Sequence, residues 1–152
     1  MSLRNFFVAI LLSSLSLGAC AMGGKVMFSA VTAQVVKGGK PVAGAKVVRE
    51  YTWHWDDKKV VEETQSDSNG RFQFPRAEKG AFLASFIPHE PVISQIIRIH
   101  HEGKEFMAWN LNKHNYDDNG ELHGKPLKFV CDLQDKPGAY LDKDIWGLCK
   151  PQ

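Results

Sequence analysis

The fold is decided by two segments, GGKPVAGAKVV at 38–48 and TQSDSNGRFQF at 64–74. The first places two glycines and a proline before a run of β-branched residues. The second places a Ser-Asp-Ser-Asn-Gly turn before Phe72 and Phe74, which lie two residues apart. Glycine and asparagine tolerate positive φ angles, and apolar residues two apart face one side of a sheet. Both segments therefore predict turns that lead into strands.

Alternating apolar residues predict strands through the rest of the chain as well. Residues 81–87 are apolar on both faces, which is typical of a central strand. Further elements are predicted as strands at 28–36, 92–100, 105–111 and 127–133, and as a hairpin at 46–65. Short strands separated by turns predict an all-β fold, an antiparallel β-sandwich of about seven or eight strands.

The two segments also match a known pair of motifs, Gly-x-Pro-Val-x-Gly-Ala-x-Val followed by a Thr-Asp-x-x-Gly-x-Phe turn. In this chain the Thr position holds Ser66. The pair resembles the carboxypeptidase-regulatory-like modules, which are transthyretin-type, or prealbumin-like, β-sandwiches. The resemblance implies a β-sandwich and a non-catalytic role, because in that family the module is an appendage to the catalytic domain. The other matching residues are Gly39, Pro41, Val42, Gly44, Ala45, Val47, Asp67, Gly70 and Phe72.

The N-terminus has the features of a secretory signal. A charged residue precedes an apolar stretch at 6–17, which is too short for a membrane span, and Leu-Gly-Ala-Cys follows at 17–20. This ending resembles a bacterial lipobox, which implies cleavage before Cys20 and acylation of that cysteine. We therefore expect a signal peptide at 1–19, a lipid anchor and tether at 20–27, and one β-sandwich domain at 28–152. Ala21 resembles the default signal for the outer membrane, so we expect a periplasm-facing envelope protein.

Two cysteines remain after the anchor, Cys131 and Cys149. An even number in an exported chain predicts a disulfide bond, and two free buried thiols are the alternative. The bond would attach the tail at 134–152, which we expect to be irregular or briefly helical, to the predicted strand at 127–133.

The sequence offers little for catalysis or for metal binding. Neither His89-Glu90 nor His101-Glu102 continues into the His-Glu-x-x-His pattern of a zinc site. The two Asp-x-Asn-Gly segments lack the glutamate that ends an EF-hand calcium loop. No Gly-x-Ser-x-Gly, phosphate-binding or dinucleotide-binding motif is present. We expect no enzyme activity, no cofactor and no metal, and the net charge of +2 together with export argues against nucleic-acid binding.

Two regions are candidate partner-binding sites. Tyr51, Trp53 and Trp55 share one face of the predicted hairpin, beside the charged tip at 56–59. Tryptophan and tyrosine dominate binding hot spots, but the same residues would also fill a core, and the sequence leaves both alternatives open. The polar loop at 112–124 is the second region, and its candidate residues are His114 and Tyr116.

These expectations combine into a non-catalytic periplasmic lipoprotein that binds another protein. The segments at 27–32, 51–55 and 88–91 also resemble those of an uncharacterised bacterial family of small exported proteins. Small lipoproteins of this kind include immunity proteins, which neutralise periplasm-acting toxins such as those of type VI secretion. The alternative is a carbohydrate- or envelope-binding module, and a metal-binding or enzymatic protein is the third hypothesis.

Lipidation of Cys20 gives the first testable prediction. Several acyl chains anchor a protein stably, so we expect the wild-type chain in the membrane fraction and Cys20→Ala either released or unprocessed. Fractionation and mass spectrometry of the N-terminal peptide measure both. A mature N-terminus at another residue, without acyl mass, would contradict the prediction.

Overall fold

The computed structural model describes residues 24–80, 83–140 and 144–152. The predicted signal peptide and Cys20 lie outside the described residues. Within them the chain forms thirteen strands and two short 3-10 turns, Leu83–Ser85 and Gly120–Leu122. The strands are β1 (Lys25–Phe28), β2 (Val31–Lys37), β3 (Lys40–Pro41), β4 (Lys46–Trp53), β5 (Lys58–Gln65), β6 (Arg71–Phe74), β7 (Ala77–Lys79), β8 (Ile93–His101), β9 (Lys104–Lys113), β10 (Leu127–Asp132), β11 (Gly138–Tyr140), β12 (Ile145–Gly147) and β13 (Cys149–Pro151). None of the described segments is a helix long and apolar enough to span a bilayer.

Two large sheets contain most of the strands. The six-stranded sheet has the order β11-β12-β9-β8-β4-β5 and is antiparallel throughout. The five-stranded sheet has the order β13-β10-β2-β3, with β6 also paired to β2. β1 and β7 form a separate antiparallel pair. The inward residues of both large sheets form one hydrophobic core, so the predicted all-β fold is confirmed and is consistent with a β-sandwich.

One pairing differs from the antiparallel expectation. β2 and β10 run parallel, with Val31 opposite Leu127 and Val36 opposite Asp132. Parallel neighbours need a long crossover connection, and here that connection contains seven intervening strands. Local alternation of apolar residues specifies a strand and its buried face, but it does not specify which distant strand lies beside it.

Ser66 joins the two segments that decide the fold. Its buried hydroxyl donates to the Val42 carbonyl at 2.7 Å and accepts the Ala45 N–H at 2.9 Å. Its own backbone N–H donates to the Ala45 carbonyl, and its carbonyl accepts from the Gly44 N–H. The side chain and backbone of one residue thus satisfy polar backbone groups of Val42, Gly44 and Ala45 in the Pro-Val-Ala-Gly-Ala turn.

Gly70 is required where the second turn meets β2. Its φ angle is +73°, and a Cβ at this position would lie 2.3 Å from the Val35 carbonyl oxygen. The Gly70 carbonyl accepts the Val35 N–H at 2.7 Å, so the two backbones are in direct contact. Asp67 shapes the turn itself, because its carboxylate accepts the N–H groups of Asn69 and Arg71, each at 2.8 Å.

Arg49 interrupts the apolar face of β4 and is fully buried. Its guanidinium contacts Glu62 on β5, with Nε 2.8 Å from Oε2, and donates to the Pro75 carbonyl at 2.7 Å. It lies 5.1 Å from the Phe28 ring centroid and 4.7 Å from that of Phe74. Desolvation lowers the pKa of Arg49, and the hydrogen bond and charge of Glu62 oppose that effect. Aromatic faces and one carboxylate together make this buried cation tolerable.

The predicted central strand at 81–87 is wrong for its described part. Leu83–Ser85 is a 3-10 turn, and Phe86 and Ile87 are 71% and 52% exposed. The physical reason lies in the sheet: β4 and β9 already occupy both edges of β8, so no central position remains for this segment. Phe86 and Ile87 therefore lie on a loop at the surface, whereas Ala84 is buried in the core.

The start of the folded domain and the conformation of the tail also differ from prediction. The tether was expected to continue to residue 27, but Val26 and Met27 are buried in β1, so the folded domain includes Lys25–Phe28. The tail was expected to be irregular or briefly helical, but its described residues form β11, β12 and β13. Ile145 and Leu148 are buried in the common core, which explains why this segment is extended against the sheets.

The predicted disulfide between Cys131 and Cys149 is present, with an S–S distance of 1.98 Å. The two residues lie directly opposite each other on β10 and β13. The tail is therefore attached to the five-stranded sheet by a covalent bond as well as by its backbone hydrogen bonds.

Removing this bond should weaken the domain. The double variant Cys131→Ser, Cys149→Ser should lose about 3 kcal/mol of unfolding free energy, because the closed loop no longer restricts the unfolded chain. Urea denaturation of both proteins measures the difference. Unreduced wild-type protein should also be two hydrogens lighter than reduced protein. Alkylation of both thiols in native envelope material would contradict the bond.

Candidate docking site

Trp53 and Trp55 occupy different environments at the end of the β4–β5 hairpin. Trp53 is the last residue of β4 and is 3% exposed, whereas Trp55 lies in the turn and is 39% exposed. The strand ends there because the N–H groups of Asp56 and Asp57 both donate to the Trp53 carbonyl. The Trp55 ring stacks on the Trp53 ring with centroids 6.2 Å apart.

This placement corrects part of the predicted partner-binding set. Tyr51 and Trp53 face the core, and burial raises the pKa of the Tyr51 hydroxyl. A partner therefore does not reach either side chain in this structure. Alternation along the sequence placed all three aromatic residues on one strand face, but the strand ends before Trp55. That residue remains accessible.

Tyr116 connects the loop after β9 to the hairpin. Its hydroxyl oxygen accepts the Trp53 Nε1–H at 2.9 Å and lies 2.5 Å from His89 Nε2. His89 Nδ1 lies 2.8 Å from the Ile87 carbonyl oxygen, which can only accept, so Nδ1 is the donor of this hydrogen bond. A ring with its proton on Nδ1 alone accepts a hydrogen bond from the Tyr116 hydroxyl at Nε2. Desolvation raises the pKa of Tyr116, although its hydrogen bond to Trp53 opposes this.

His89 joins the remaining exposed residues to this cluster. Its ring centroid lies 4.5 Å from that of Trp55, and its imidazole holds the Ile87 backbone. Pro88 and Pro91 restrict the surrounding backbone. We call the resulting surface the tip surface, and it comprises Trp55, Phe86, Ile87, His89 and Tyr116. Sequence reasoning missed Phe86, Ile87 and His89.

Charged residues surround the tip surface. His114, which was predicted as a partner-binding residue, is exposed at its rim, with Nδ1 3.4 Å from Glu90 Oε1. The Lys25 ammonium lies 4.0 Å from the Tyr116 ring centroid. Lys79 pairs with Asp56 at 3.0 Å and lies opposite Lys25 in the β1–β7 pair. β1, the first strand that the structure describes, therefore lies beside the tip surface.

A buried ion pair lies beneath the loop that carries Tyr116. The side chains of Lys113 and Glu121 are inaccessible to solvent, and Lys113 Nζ lies 3.2 Å from Glu121 Oε1. Desolvation lowers the pKa of Lys113, and the charge and hydrogen bond of Glu121 act against it. Lys113 also donates to the Asp117 carbonyl at 2.7 Å, which fixes the start of the loop.

Glu121 collects further donors from distant parts of the chain. Ser29 donates to it through its backbone N–H at 3.0 Å and through its hydroxyl at 2.7 Å. Gln95 on β8 donates its amide at 2.9 Å to Glu121 and at 2.8 Å to the Met27 carbonyl. Sequence reasoning did not find this network, because residues 29 and 121 are far apart in the chain.

The groups of the site differ in their accessibility to solvent. Lys113 and Glu121 are the most enclosed charged groups of the region, and solvent does not reach their side chains. Across the residues that the structure describes, His, Cys, Asp and Glu form no group of three that could hold a metal ion. The accessible groups of the tip surface are aromatic rings, aliphatic side chains and one imidazole.

The two tryptophans give a prediction about stability. Trp53→Ala should cost about 3–5 kcal/mol of unfolding free energy, as truncation of buried aromatic residues does. Trp55→Ala should change it by no more than about 1 kcal/mol, because much of that ring is already in water. Urea midpoints of the two variants measure the difference. Equal large losses would show that Trp55 belongs to the core.

Comparison with known proteins assigns the chain to a family. Residues 31–136 match the family model described as Domain of unknown function (DUF6795). No curated protein matches the chain, and no solved structure matches it. The matched range begins with β2 and extends past β10, so it includes Trp55, His89, Tyr116 and the buried ion pair. Because this range covers most of the chain, the protein belongs to the DUF6795 family.

Proposed function

We propose that the protein is a non-catalytic lipoprotein of the bacterial cell envelope that binds another protein through its tip surface. The proposal rests on one observation: exposed Trp55 packs against His89, His89 holds the backbone of exposed Ile87, and Phe86, which precedes Ile87 in the chain, is also exposed. Soluble monomers rarely expose contiguous apolar side chains without a binding role.

The composition of the tip surface fits a protein interface. Such interfaces have an apolar, aromatic centre and a polar rim. Here the centre is Trp55 with Ile87, and the rim contains Glu90 and His114. The base is preorganised, because Tyr116 holds both Trp53 and His89 by hydrogen bonds. A rigid site loses less conformational entropy when a partner binds.

The position of β1 supports a location near the membrane. Lys25 follows Cys20 by five residues. A fully extended chain spans at most about 3.3–3.6 Å per residue, so an anchor at Cys20 would hold Lys25 within about 18 Å of the lipid. Lys25 itself contacts Tyr116. A partner of the tip surface would therefore meet it close to the membrane, which we infer to be the outer membrane on its periplasmic side.

Two finer proposals follow from the sequence. The Gly39-to-Val47 and Asp67-to-Phe72 motifs support a carboxypeptidase-regulatory-like type of domain, and the joining role of Ser66 gives these motifs a structural reason. A small anchored domain with an apolar recognition surface also suits an immunity protein. Its partner would then be a periplasm-acting toxin.

A capture experiment with matched tryptophan variants tests the proposed function. Full-length protein extracted in mild detergent would serve as bait, and captured proteins would be identified by mass spectrometry. Trp55→Ala should weaken binding of the identified partner by about 2 kcal/mol or more, as expected at a hot spot. The control is Trp146→Ala, because Trp146 is similarly exposed, at 48%, but lies on β12.

The outcomes separate the hypotheses. Loss of the partner with Trp55→Ala, but not with Trp146→Ala, supports a protein-binding tip surface, and a toxin among the captured proteins supports the immunity role. Equal binding by both variants contradicts the proposed site. Binding of envelope glycans or of lipid vesicles, without any protein partner, would favour the carbohydrate- or envelope-binding alternative.

A further inference from the structure

We propose that β5 pairs with β5 of a second copy of this chain, which joins two six-stranded sheets into one. β5 is the last strand of its sheet and pairs on one side with β4. In the described part of the chain, no strand lies along its other side. It has eight residues, so a long row of backbone donors and acceptors is open to pairing.

The solvent face of β5 has a symmetric arrangement of side chains. Lys59, Val61 and Glu63 are exposed on this face, whereas Val60 and Glu62 are partly buried on the other. Val61, at the centre, is 51% exposed. Proteins usually protect an edge strand by placing charge along it. Here the charges lie on either side of an apolar residue and have opposite signs.

Symmetry restricts how two such strands pair. An antiparallel pair within one continuous sheet has its two-fold axis perpendicular to that sheet, so each residue keeps its face in both copies. Directly opposed residues share a face. When Val61 lies on the axis, it is opposite Val61 of the partner subunit. Lys59 is then opposite Glu63 of the partner subunit, and the same contact occurs twice.

Neighbouring registers are less favourable. An axis at Glu62 places this carboxylate opposite Glu62 of the partner subunit, and an axis at Lys59 or Glu63 likewise opposes identical charges. An axis at Val60 aligns only residues 58–62 and brings Asp57, in the turn, opposite Glu63 of the partner subunit. The register at Val61 aligns residues 58–64 and opposes no like charges, so the charge pattern selects it.

Existing ion pairs hold the exposed side chains in position for this contact. Lys59 Nζ lies 2.6 Å from Glu50, and Lys46 Nζ lies 2.8 Å from Glu63. Both pairs lie on the outer face of the six-stranded sheet. Pairing at Val61 would place Glu50 and Lys59 of one copy in a row with Glu63 of the partner subunit and Lys46 of the partner subunit. The charges in this row alternate in sign. The two-fold axis produces a second, identical row.

The assembly is compatible with the tip surface but does not depend on it. The two hairpin tips point in opposite directions, and each lies beyond the paired residues 58–64. Two chains anchored in one membrane would have their two-fold axis normal to the bilayer, and a five-residue tether permits this orientation. Anchoring would also raise the effective concentration of one copy near another.

Cysteine cross-linking tests the register in the full-length protein. Val61→Cys would be expressed in the envelope, treated with a mild oxidant and analysed on a non-reducing gel. We expect a cross-linked dimer, because residue 61 is opposite itself. Val60→Cys is the matched control and should remain monomeric. A dimer from Val60→Cys but not from Val61→Cys overturns the proposed register. Cross-linking of Val61→Cys to a different protein overturns the proposal that β5 pairs with a second copy of this chain.

Charge exchange tests the contact between Lys59 and Glu63. In detergent-extracted full-length protein, Lys59→Glu or Glu63→Lys should each weaken association about tenfold, because two like-charge contacts replace two attractive ones. The double variant Lys59→Glu, Glu63→Lys should restore it. Mass measured by light scattering gives the result, and thermal unfolding checks that each variant is folded. A wild-type protein that remains monomeric at all concentrations, with no Val61→Cys dimer, overturns the proposal.

Discussion

The buried ion pair between Lys113 and Glu121 constrains the region on which the proposed function depends. Removing one partner of such a pair typically costs about 3–5 kcal/mol, because the other charge is left buried and uncompensated. The pair can exist because Glu121 also accepts hydrogen bonds from Ser29 and Gln95. It therefore connects the β1–β2 link, β8, the end of β9 and the following loop. That loop has a fixed path although it contains little regular structure.

The fixed path places Tyr116, and Tyr116 in turn positions the aromatic cluster. One hydroxyl group satisfies Trp53 on the hairpin and His89 on the loop before β8. His89 then packs against Trp55 and holds the Ile87 backbone. Three loops from different parts of the chain are thus held together by directional contacts. Their exposed apolar side chains are presented on a preorganised base, which is the property that favours specific binding.

The sequence predicted those features that depend on local chemistry. Ser66, Asp67 and Gly70 specify their turn through nearby backbone groups, and Phe72 and Phe74 face the core as their alternation indicated. Features that depend on distant partners were missed or misplaced. The apolar segment at 81–87 predicted a central strand. In the structure β4 and β9 occupy both edges of the central strand β8, so this segment has no place beside it. One local feature was also misplaced: Trp55 followed the alternation of β4, but backbone hydrogen bonds to Trp53 from the next residues ended the strand before it.

β5 shows how one strand can be rigid on one face and available on the other. Its inner face is attached to the core, because Glu62 binds the buried guanidinium of Arg49 and Val60 packs against the hydrophobic cluster. On the outer face Lys59, Val61 and Glu63 are exposed, and ion pairs of such exposed charges contribute little to stability. Changes at 60 or 62 would therefore act on folding, whereas changes at 59, 61 or 63 would act mainly on what the edge contacts. This separation allows an assembly interface on an edge strand without loss of the fold.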